Sequence, residues 1–188
     1  MSNTKWAMVI DVQKCIGCHA CSAACRIENQ VSQEGNRAWV TTKEFGTFPD
    51  IHMLKLPQLC NHCDTTPCVD VCPVQATYKN EDGIVVIDKD KCIGCYQCVN
   101  ACPYQARFKV TETRKVDKCN FCQHRIKNGL LPACISTCTS QARYFGDLND
   151  PNSIVSKLLK EHAAEGLLPE LKLGTNVYYI GIENFRQS

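Results

Sequence analysis

Apolar residues come in short runs along this chain, and polar or glycine-containing breaks separate the runs. Residues 6–10 and 51–56 have the clustered or alternating apolar side chains that are typical of short strands. A turn followed by a strand is predicted at residues 83–87, and a last strand at 176–181. Because no apolar repeat continues far enough for a long helix or strand, we predict a protein of many short elements.

Two segments stand apart from these strands. Ser153 is predicted to cap a helix that runs to about residue 164. The apolar face of this helix is formed by Ile154, Val155, Leu158 and Leu159. The stretch 29–49 is polar and is predicted to be a connecting loop with a short strand at 38–42, with a surface for a partner as the alternative.

The chain contains 16 cysteines, which fall into four groups of four and leave none over. They are group 1 (Cys15, Cys18, Cys21, Cys25), group 2 (Cys60, Cys63, Cys68, Cys72), group 3 (Cys92, Cys95, Cys98, Cys102) and group 4 (Cys119, Cys122, Cys134, Cys138). Group 3, with Pro103 after it, has the spacing of the bacterial ferredoxin loop, which wraps three thiolates around one 4Fe-4S cube. Group 1 repeats that spacing, group 2 is a widened form and group 4 a looped-out form. The sequence therefore predicts four 4Fe-4S clusters.

The cysteine groups also repeat in pairs. The segment Val-Ile-Asp-x-x-Lys-Cys-Ile-Gly-Cys occurs at residues 9–18 and again at 86–95, and the same offset maps the rest of group 1 onto group 3. Groups 2 and 4 share a Cys-Asn-x-Cys start. This order predicts two ferredoxin-like units. At Gly17 and Gly94, which are equivalent in the two copies, we expect the backbone to pass close to a cluster in a conformation that a Cβ would obstruct.

A related tail follows the last cysteine of groups 2, 3 and 4. It has the form Cys-x-x-Gln-Ala-x-aromatic, and its aromatic residues are Tyr78, Phe108 and Tyr144. Each aromatic side chain is predicted to begin a strand and to shield a cluster, with an ordinary core position as the alternative.

The last cysteine of a ferredoxin loop points away from its own cluster and binds the neighbouring one. If groups 2 and 3, which are adjacent in sequence, form one such pair, groups 1 and 4 form the other. The predicted ligand sets are then set 1 (Cys15, Cys18, Cys21, Cys138), set 2 (Cys60, Cys63, Cys68, Cys102), set 3 (Cys72, Cys92, Cys95, Cys98) and set 4 (Cys25, Cys119, Cys122, Cys134). No catalytic residue is predicted, since every cysteine belongs to a closed site and no phosphate-binding loop or hydrolytic constellation is present.

Three other chemistries fit these cysteines less well. Cys15-Ile-Gly-Cys18-His19 matches a c-type haem attachment motif, but haem would leave half of group 1 unused, and Tyr96 replaces the histidine in the second copy. His19 is therefore expected near a cluster or on the surface. Zinc sites use two paired cysteines, a longer loop and a second pair, which only group 4 resembles. A disulfide framework is disfavoured because each group is too local to link distant segments and no secretory signal is present.

Charge and composition limit the function further. The formal charge is +2 without a basic stripe for nucleic acid, and no apolar run is long enough to cross a membrane. Each of the four clusters with its thiolates would add about −2, so the net charge of the protein would change from +2 to roughly −6. Basic residues beside the cysteines either compensate part of this charge or are ordinary surface residues: Lys14, Arg26, Lys91, Lys118 and Arg125. The first residues contain neither a twin arginine nor an apolar signal region, so export would require a partner that carries the signal.

These observations predict an α+β fold in which two ferredoxin-like units of short strands, short helices and long loops wrap around four iron-sulfur clusters. The double unit is expected at 1–150, where 1–56 and 110–150 form one unit and 57–109 the other. Residues 151–188 are expected to add a C-terminal helix and strand that pack on this domain or on a partner. Because much of the interior is metal, the chain without clusters is predicted to fold poorly.

Residues 6–150 resemble the four-cluster iron-sulfur subunits of molybdopterin oxidoreductases of the dimethyl sulfoxide reductase superfamily, and among them the polysulfide, thiosulfate and dimethyl sulfoxide reductase subunits. The resemblance includes the spacing from Cys119 to Cys134, the segment Pro132-Ala-Cys134 and the segment Phe145-Gly-Asp-Leu-x-Asp-Pro151. It implies a subunit without catalytic activity of its own. Such a subunit relays single electrons between a large catalytic subunit, which holds molybdenum or tungsten bis-molybdopterin guanine dinucleotide, and a quinone-reactive membrane subunit or another redox partner. A free-standing polyferredoxin or a hydrogenase-linked carrier is the alternative.

The resemblance also implies a location and an order. The protein would be soluble or peripheral to the membrane within its complex, and either periplasmic by co-export with the catalytic subunit or cytoplasmic. The cluster of Cys15 would face the catalytic subunit and the cluster of Cys119 the quinone side, with sets 2 and 3 between them. Relatives of the nitrate reductase type lack a cysteine at the position of Cys95 and hold a three-iron cluster, so a fourth iron is implied here. The chain lacks the C-terminal membrane helix of formate dehydrogenase relatives, so anchoring is expected from another subunit if it occurs.

Overall fold

The computed structural model describes residues 4–183, within which it has ten strands, six helices and a 3-10 turn at Pro169–Leu171. The strands are β1 (Trp6–Asp11), β2 (Ala38–Thr47), β3 (Asp50–Leu59), β4 (Thr77–Lys79), β5 (Val85–Ile87), β6 (Arg107–Val110), β7 (Lys115–Lys118), β8 (Arg143–Asp147), β9 (Ala164–Glu165) and β10 (Val177–Ile180). The helices are α1 (Ala20–Glu28), α2 (Pro67–Asp70), α3 (Gln97–Asn100), α4 (Gln123–Ile126), α5 (Ala133–Ser136) and α6 (Ile154–Glu161). The prediction of a mixed fold of short elements is confirmed.

A four-stranded sheet with the order β8-β1-β10-β9 brings together distant parts of the chain. Strand β1 pairs antiparallel with β8 and parallel with β10. As a central strand, β1 is buried on both faces, which is why its sequence is an almost continuous apolar run. The predictions of strands at 6–10 and 176–181 are confirmed, and the C-terminal strand packs directly on the cysteine-rich part of the protein.

Two small hairpins follow the tails of groups 2 and 3. Strand β4 pairs with β5, and β6 pairs with β7, in both cases antiparallel. The predicted strand after Gly83 and the three strands that contain the tail aromatics are confirmed. Tyr78 is 46% exposed, which rules out the alternative of an ordinary core position for this residue, while its shielding role stays a prediction.

The largest difference from the sequence prediction lies at residues 38–59. We predicted a loop with a short strand and then a separate strand, whereas β2 and β3 pair over ten residues each as one long hairpin. The outer half of this hairpin, which we call the arm, comprises residues 43–54 and is exposed on most of its positions. Its tip carries Phe48, which is 89% exposed and precedes a cis peptide bond to Pro49.

Helix α6 begins as predicted, because the Ser153 hydroxyl accepts a hydrogen bond from the backbone N–H of Ser156 at 3.2 Å. The helix ends earlier than predicted, at Glu161, since the chain turns into β9. Within the predicted apolar face, Val155 is fully buried, whereas Ile154 is 47% exposed.

A line of four aromatic rings passes through the interior. Trp6 stacks on Phe145 at 5.0 Å between ring centroids, and Phe145 meets Phe121 edge-on at 5.2 Å. Phe121 then contacts the ring of His62 at 3.9 Å. Because Phe121 and His62 lie in the loops of groups 4 and 2, this line joins the central sheet to both loops.

Candidate cluster-binding sites

Each cysteine group begins where a strand ends. Strands β1, β3, β5 and β7 lead directly into the loops of groups 1, 2, 3 and 4. The last cysteine of groups 2, 3 and 4 follows the short helix α2, α3 or α5, while in group 1 both Cys21 and Cys25 lie on α1. A strand therefore leads into each site. About one turn of helix, with roughly 5.4 Å of rise, separates the last thiol from the preceding ones.

Gly17 and Gly94 have the backbone conformation that the sequence predicts, with φ of +72° and +70°. A Cβ at Gly94 would lie 1.9 Å from the carbonyl oxygen of Arg114, and one at Gly17 would lie 2.9 Å from the side chain of Lys55. The close neighbours of these glycines are thus protein atoms. Glycine is required because the left-handed conformation and the crowding both act against a side chain.

The structure brings the four cysteines of set 4 around one cavity. These residues come from distant parts of the chain, since Cys25 lies on α1 and the others lie in the loop and helix of group 4. Burial raises the pKa of the Cys25 thiol to about 12, and the neighbouring Cys134 and Cys122 act in the same direction. Such thiols lose their protons when a metal group binds them.

Two further cavities are lined by the cysteines of sets 2 and 3. The four set 2 cysteines line one cavity, together with His62 and Tyr104. The four set 3 cysteines line another, together with Arg107. In both cases the crossing residue, Cys102 or Cys72, comes from the other group of the pair.

Set 1 contains one exposed, one buried and two half-buried cysteines. Cys15 interacts electrostatically with Cys21 and with Cys138, which is far away in sequence. Cys18 is exposed, as is Cys95 of set 3 at the equivalent position of the repeat. His19, which follows Cys18, is also exposed, so the expectation of a surface position is confirmed.

Backbone N–H groups point at several of these sulfurs. The N–H of Ala76 donates to Cys72 Sγ at 3.2 Å, and the N–H of Ala142 donates to Cys138 Sγ at 3.3 Å, at the same place in the repeated tail. Burial alone raises the pKa of Cys72, but hydrogen bonds from its backbone neighbours lower it below its usual value. N–H···S bonds of this kind stabilise thiolate ligands and tune cluster potentials.

The four sets form a line. Cys134 of set 4 interacts with Cys21 of set 1, and Cys119 of set 4 interacts with Cys60 of set 2. Arg107 touches both set 2 and set 3, which gives the order 1, 4, 2, 3. The expectation that sets 2 and 3 lie between the clusters of Cys15 and Cys119 is therefore wrong, because sets 1 and 4 are direct neighbours.

One further position in each tail, between the alanine and the aromatic residue, was not identified from the sequence. This residue is Thr77, Arg107 or Arg143, and all three are buried, because alternate side chains of a strand point to opposite faces. The period of the strand that was predicted to begin there was the signal that could have identified them. Among the basic residues beside cysteines, Lys118 is buried, whereas Lys14 and Lys91 are exposed surface residues.

Thiols that surround a cavity fit a cluster of several atoms better than a single ion. Within residues 4–183, no group of three or more His, Cys, Asp or Glu side chains is arranged to hold one metal ion. A surface groove lined by Trp39, Tyr104 and Phe108 among others has no cysteine in its wall. Cysteine quartets contributed by crossed ferredoxin loops are the donor set of 4Fe-4S clusters, and they define this molecule as an iron-sulfur electron-transfer protein.

Comparison with known proteins agrees with this class. A model of the 4Fe-4S dicluster domain matches residues 51–148, and a model of the 4Fe-4S binding domain matches residues 13–32. A tetrathionate reductase subunit of Salmonella typhimurium is 47% identical over 96% of this chain and 74% of its own length. A polysulfide reductase chain of Wolinella succinogenes is 42% identical over 97% of this chain and 96% of its own length. The arsenate respiratory reductase iron-sulfur subunit of Shewanella sp. is 38% identical over 92% and 94%.

The protein belongs to the 4Fe-4S dicluster family and is an iron-sulfur subunit of a molybdopterin oxidoreductase. Its 4Fe-4S domains and its similarity to reductase subunits support a role in carrying electrons. In the part of the chain that the structure describes, no helix has the length and apolar character needed to cross a membrane.

Proposed function

We propose that the protein binds four 4Fe-4S clusters through the crossed ligand sets 1 to 4 and relays single electrons along them in the order 1, 4, 2, 3. The observation that carries this proposal is that cysteines far apart in sequence line common cavities in the crossed combination. The same crossing supports two interleaved ferredoxin-like units, residues 1–56 with 110–150 and residues 57–109, followed by a C-terminal segment from 151. Each cluster supplies one-electron chemistry when bound, and the protein holds, insulates and spaces it.

The two ends of the relay are sets 1 and 3. Their loops contain the exposed cysteines Cys18 and Cys95 and, beside them, Ile16 and Ile93, which are 65% and 64% exposed. Set 4 is enclosed on all ligands, which suits an interior position. We propose that set 1 faces a catalytic subunit with molybdenum or tungsten bis-molybdopterin guanine dinucleotide, and that set 3 faces a quinone-reactive membrane subunit or another redox partner. The protein would then act as a peripheral subunit of that complex, either exported with the catalytic subunit or cytoplasmic.

The crossing of ligands gives a demanding test. Cys25→Ser is expected to damage the same cluster as Cys119→Ser, although the two residues are far apart in the chain, and to spare the cluster that Cys18→Ser damages. Redox titrations followed by electron paramagnetic resonance separate the cluster signals of the three variants. A shared defect of Cys25→Ser and Cys18→Ser, distinct from that of Cys119→Ser, would show that the ligands do not cross.

The number of clusters is tested independently on the parent protein. Four complete 4Fe-4S clusters require about 16 iron and 16 acid-labile sulfide per chain after anaerobic purification. Stoichiometric zinc with little iron would contradict the proposal. The large subunit that copurifies distinguishes a molybdopterin complex from a free-standing polyferredoxin or a hydrogenase-linked carrier.

A further inference from the structure

Three cationic side chains are buried in this protein without an acidic partner. Arg107, Lys118 and Arg143 have exposed fractions of 4%, 2% and 3%. Within residues 4–183, the strongest electrostatic influences on them come from cysteines, one another and a tyrosine, and none forms an ion pair with an aspartate or glutamate. Burying an unpaired ion costs several kcal/mol, so a negative group must offset each of these charges.

Arg107 lies between set 2 and set 3. Its Nη2 donates to Cys68 Sγ of set 2 at 2.9 Å and to Thr77 Oγ1 at 2.9 Å. The same side chain lines the set 3 cavity and interacts with Cys98 there. Its Nε and Nη1 are buried and have no hydrogen-bond partner among the described residues. Acceptors held in the neighbouring cavities would satisfy these donors.

Arg143 occupies the matching position between set 1 and set 4. Its Nη2 donates to Cys21 Sγ of set 1 at 3.6 Å, and its charge also interacts with Cys138 of that set. On its other side the guanidinium interacts with Cys134 of set 4. Arg143 follows Cys138 by the same number of residues by which Arg107 follows Cys102.

Lys118 completes the series between set 4 and set 2. Its ammonium donates to the carbonyl oxygen of Cys119 in the loop of group 4 at 2.7 Å, and to that of Val85, whose side chain lines the set 2 cavity. Burial lowers the pKa of the Lys118 ammonium, and negative charge on Cys60 and Cys119 opposes this shift. Lys118 is the last residue of β7 and therefore reaches the gap from a different element than the two arginines.

We propose that these residues place one buried cation in each gap of the relay and that each cation raises the reduction potential of the two clusters beside it. The inference rests on the proposed ligand sets. Reduction adds one negative charge to a cluster that is already negative, and a nearby cation in a poorly hydrated interior stabilises that added charge. An exposed cation has a much weaker effect, because water and salt screen it.

Each gap between neighbouring sets has one buried cation, whereas not every copy of the repeated tail has one. The tail of group 2 has Thr77 where the tails of groups 3 and 4 have arginine, and Thr77 accepts a hydrogen bond from Arg107. The tails of groups 2 and 3 border the same gap, so a second arginine there would meet the first. A position that served only to build the tail would be expected to have the same residue in all three copies.

The test is a set of single charge removals in the holoprotein, purified with its copurifying subunits. Each cluster takes the number of its ligand set. Arg143→Gln is expected to lower the reduction potentials of clusters 1 and 4. Lys118→Gln should lower those of clusters 4 and 2, and Arg107→Gln those of clusters 2 and 3. The potentials are measured by redox titration with electron paramagnetic resonance, and the cysteine variants assign each signal to its cluster. Lys91→Gln is the matched control, because Lys91 is adjacent to the ligand Cys92 but its side chain is 67% exposed.

The overlapping pairwise pattern supports the proposal. Unchanged potentials with full iron content, equal shifts in all four clusters, or an equally large shift in Lys91→Gln would overturn it. If a glutamine variant loses iron, Arg107→Lys, Arg143→Lys or Lys118→Arg decides the question, since recovered iron with potentials near the parent supports a role of charge and continued loss of iron contradicts it. Failure of the proposed ligand sets would be recognised separately, by the parent's iron content and by the Cys25→Ser comparison.

Discussion

At the scale of single residues, distance along the chain from a cysteine does not determine whether a basic side chain is buried near a cavity. Lys91 and Lys118 both precede the first cysteine of a group, yet the first is exposed and the second is buried. Both lysines also follow an aspartate, so their neighbours in the sequence do not distinguish them. Lys118 ends β7, which pairs with β6 and carries its last side chain inward, while Lys91 lies in a turn after β5.

Under the proposed ligand sets, the cluster held by set 3, cluster 3, is complete only with Cys95. Cys95→Ser is expected to convert that cluster to a three-iron form, because the exposed Cys95 would hold one of its irons and a hydroxyl is a weaker ligand than a thiolate. Electron paramagnetic resonance of the oxidised variant should show a signal that the parent lacks. An unchanged spectrum with full iron content would count against Cys95 as a ligand.

Gly94→Ala is expected to destabilise the holoprotein more than Gly129→Ala. Both glycines have a positive φ, of +70° and +71°, so the left-handed backbone alone costs each variant about 1 kcal/mol. Only at Gly94 does the new Cβ also collide with a backbone oxygen, that of Arg114, whereas nothing lies within 4 Å of a Cβ at Gly129.

Thermal unfolding of the two glycine variants measures the difference under identical loading. Loss of the set 3 signal is expected only in Gly94→Ala, because Gly94 lies inside that cluster's loop. Equal melting temperatures would mean that the loop relaxes freely around Arg114.

At the scale of elements, local signals predicted what is local. The apolar run of β1, the serine cap of α6 and the glycine turns are each encoded within a few residues, and the structure contains all of them. The pairing of β1 with β10 and the two ten-residue strands of the long hairpin were not predictable in this way. The first strand of the hairpin is exposed toward the tip, so its sequence lacks the apolar face that would have indicated a strand beyond residue 42.

Shortening the arm is expected to leave all four clusters intact. Residues 44–53 can be replaced by Asn-Gly, a two-residue turn that suits an antiparallel hairpin, between the paired residues Lys43 and Leu54. The variant keeps Lys55, whose side chain lies against Gly17 in the loop of group 1. Iron content and the redox titration should match the parent, and loss of the cluster 1 signal would show that the outer arm supports that loop.

At the scale of the whole molecule, the interior is organised around cavities lined by thiols. Helices of four residues and strands of three or four bury too little apolar surface to hold together alone, and an isolated short helix is marginal in water. The cluster ligands were recognisable from sequence because their spacing is local within each loop. Which loops share a cavity was predictable only through the ferredoxin precedent, and the order of the cavities depended on contacts between distant segments.

Removal of the clusters is therefore expected to unfold most of the chain. Anaerobic chelation of iron should reduce the far-ultraviolet circular dichroism and abolish cooperative thermal unfolding, because the thiols would line unfilled space. Reconstitution with iron and sulfide should restore both signals. A cluster-free protein that keeps a cooperative transition would show that the central sheet folds independently.

The crossed loops have a consequence for the way in which the protein is made. Translation proceeds from the N-terminus, so under the proposed ligands sets 2 and 3 have all their cysteines once Cys102 has emerged from the ribosome. Set 1, which begins with Cys15, is complete only once Cys138 has emerged. Strand β1 waits longer still, since its neighbours are β8 and β10. The cysteines of group 1 are thus synthesised before those of the other groups but are among the last to be enclosed. A nascent chain that stalls between these points would have complete sets 2 and 3 and an incomplete set 1.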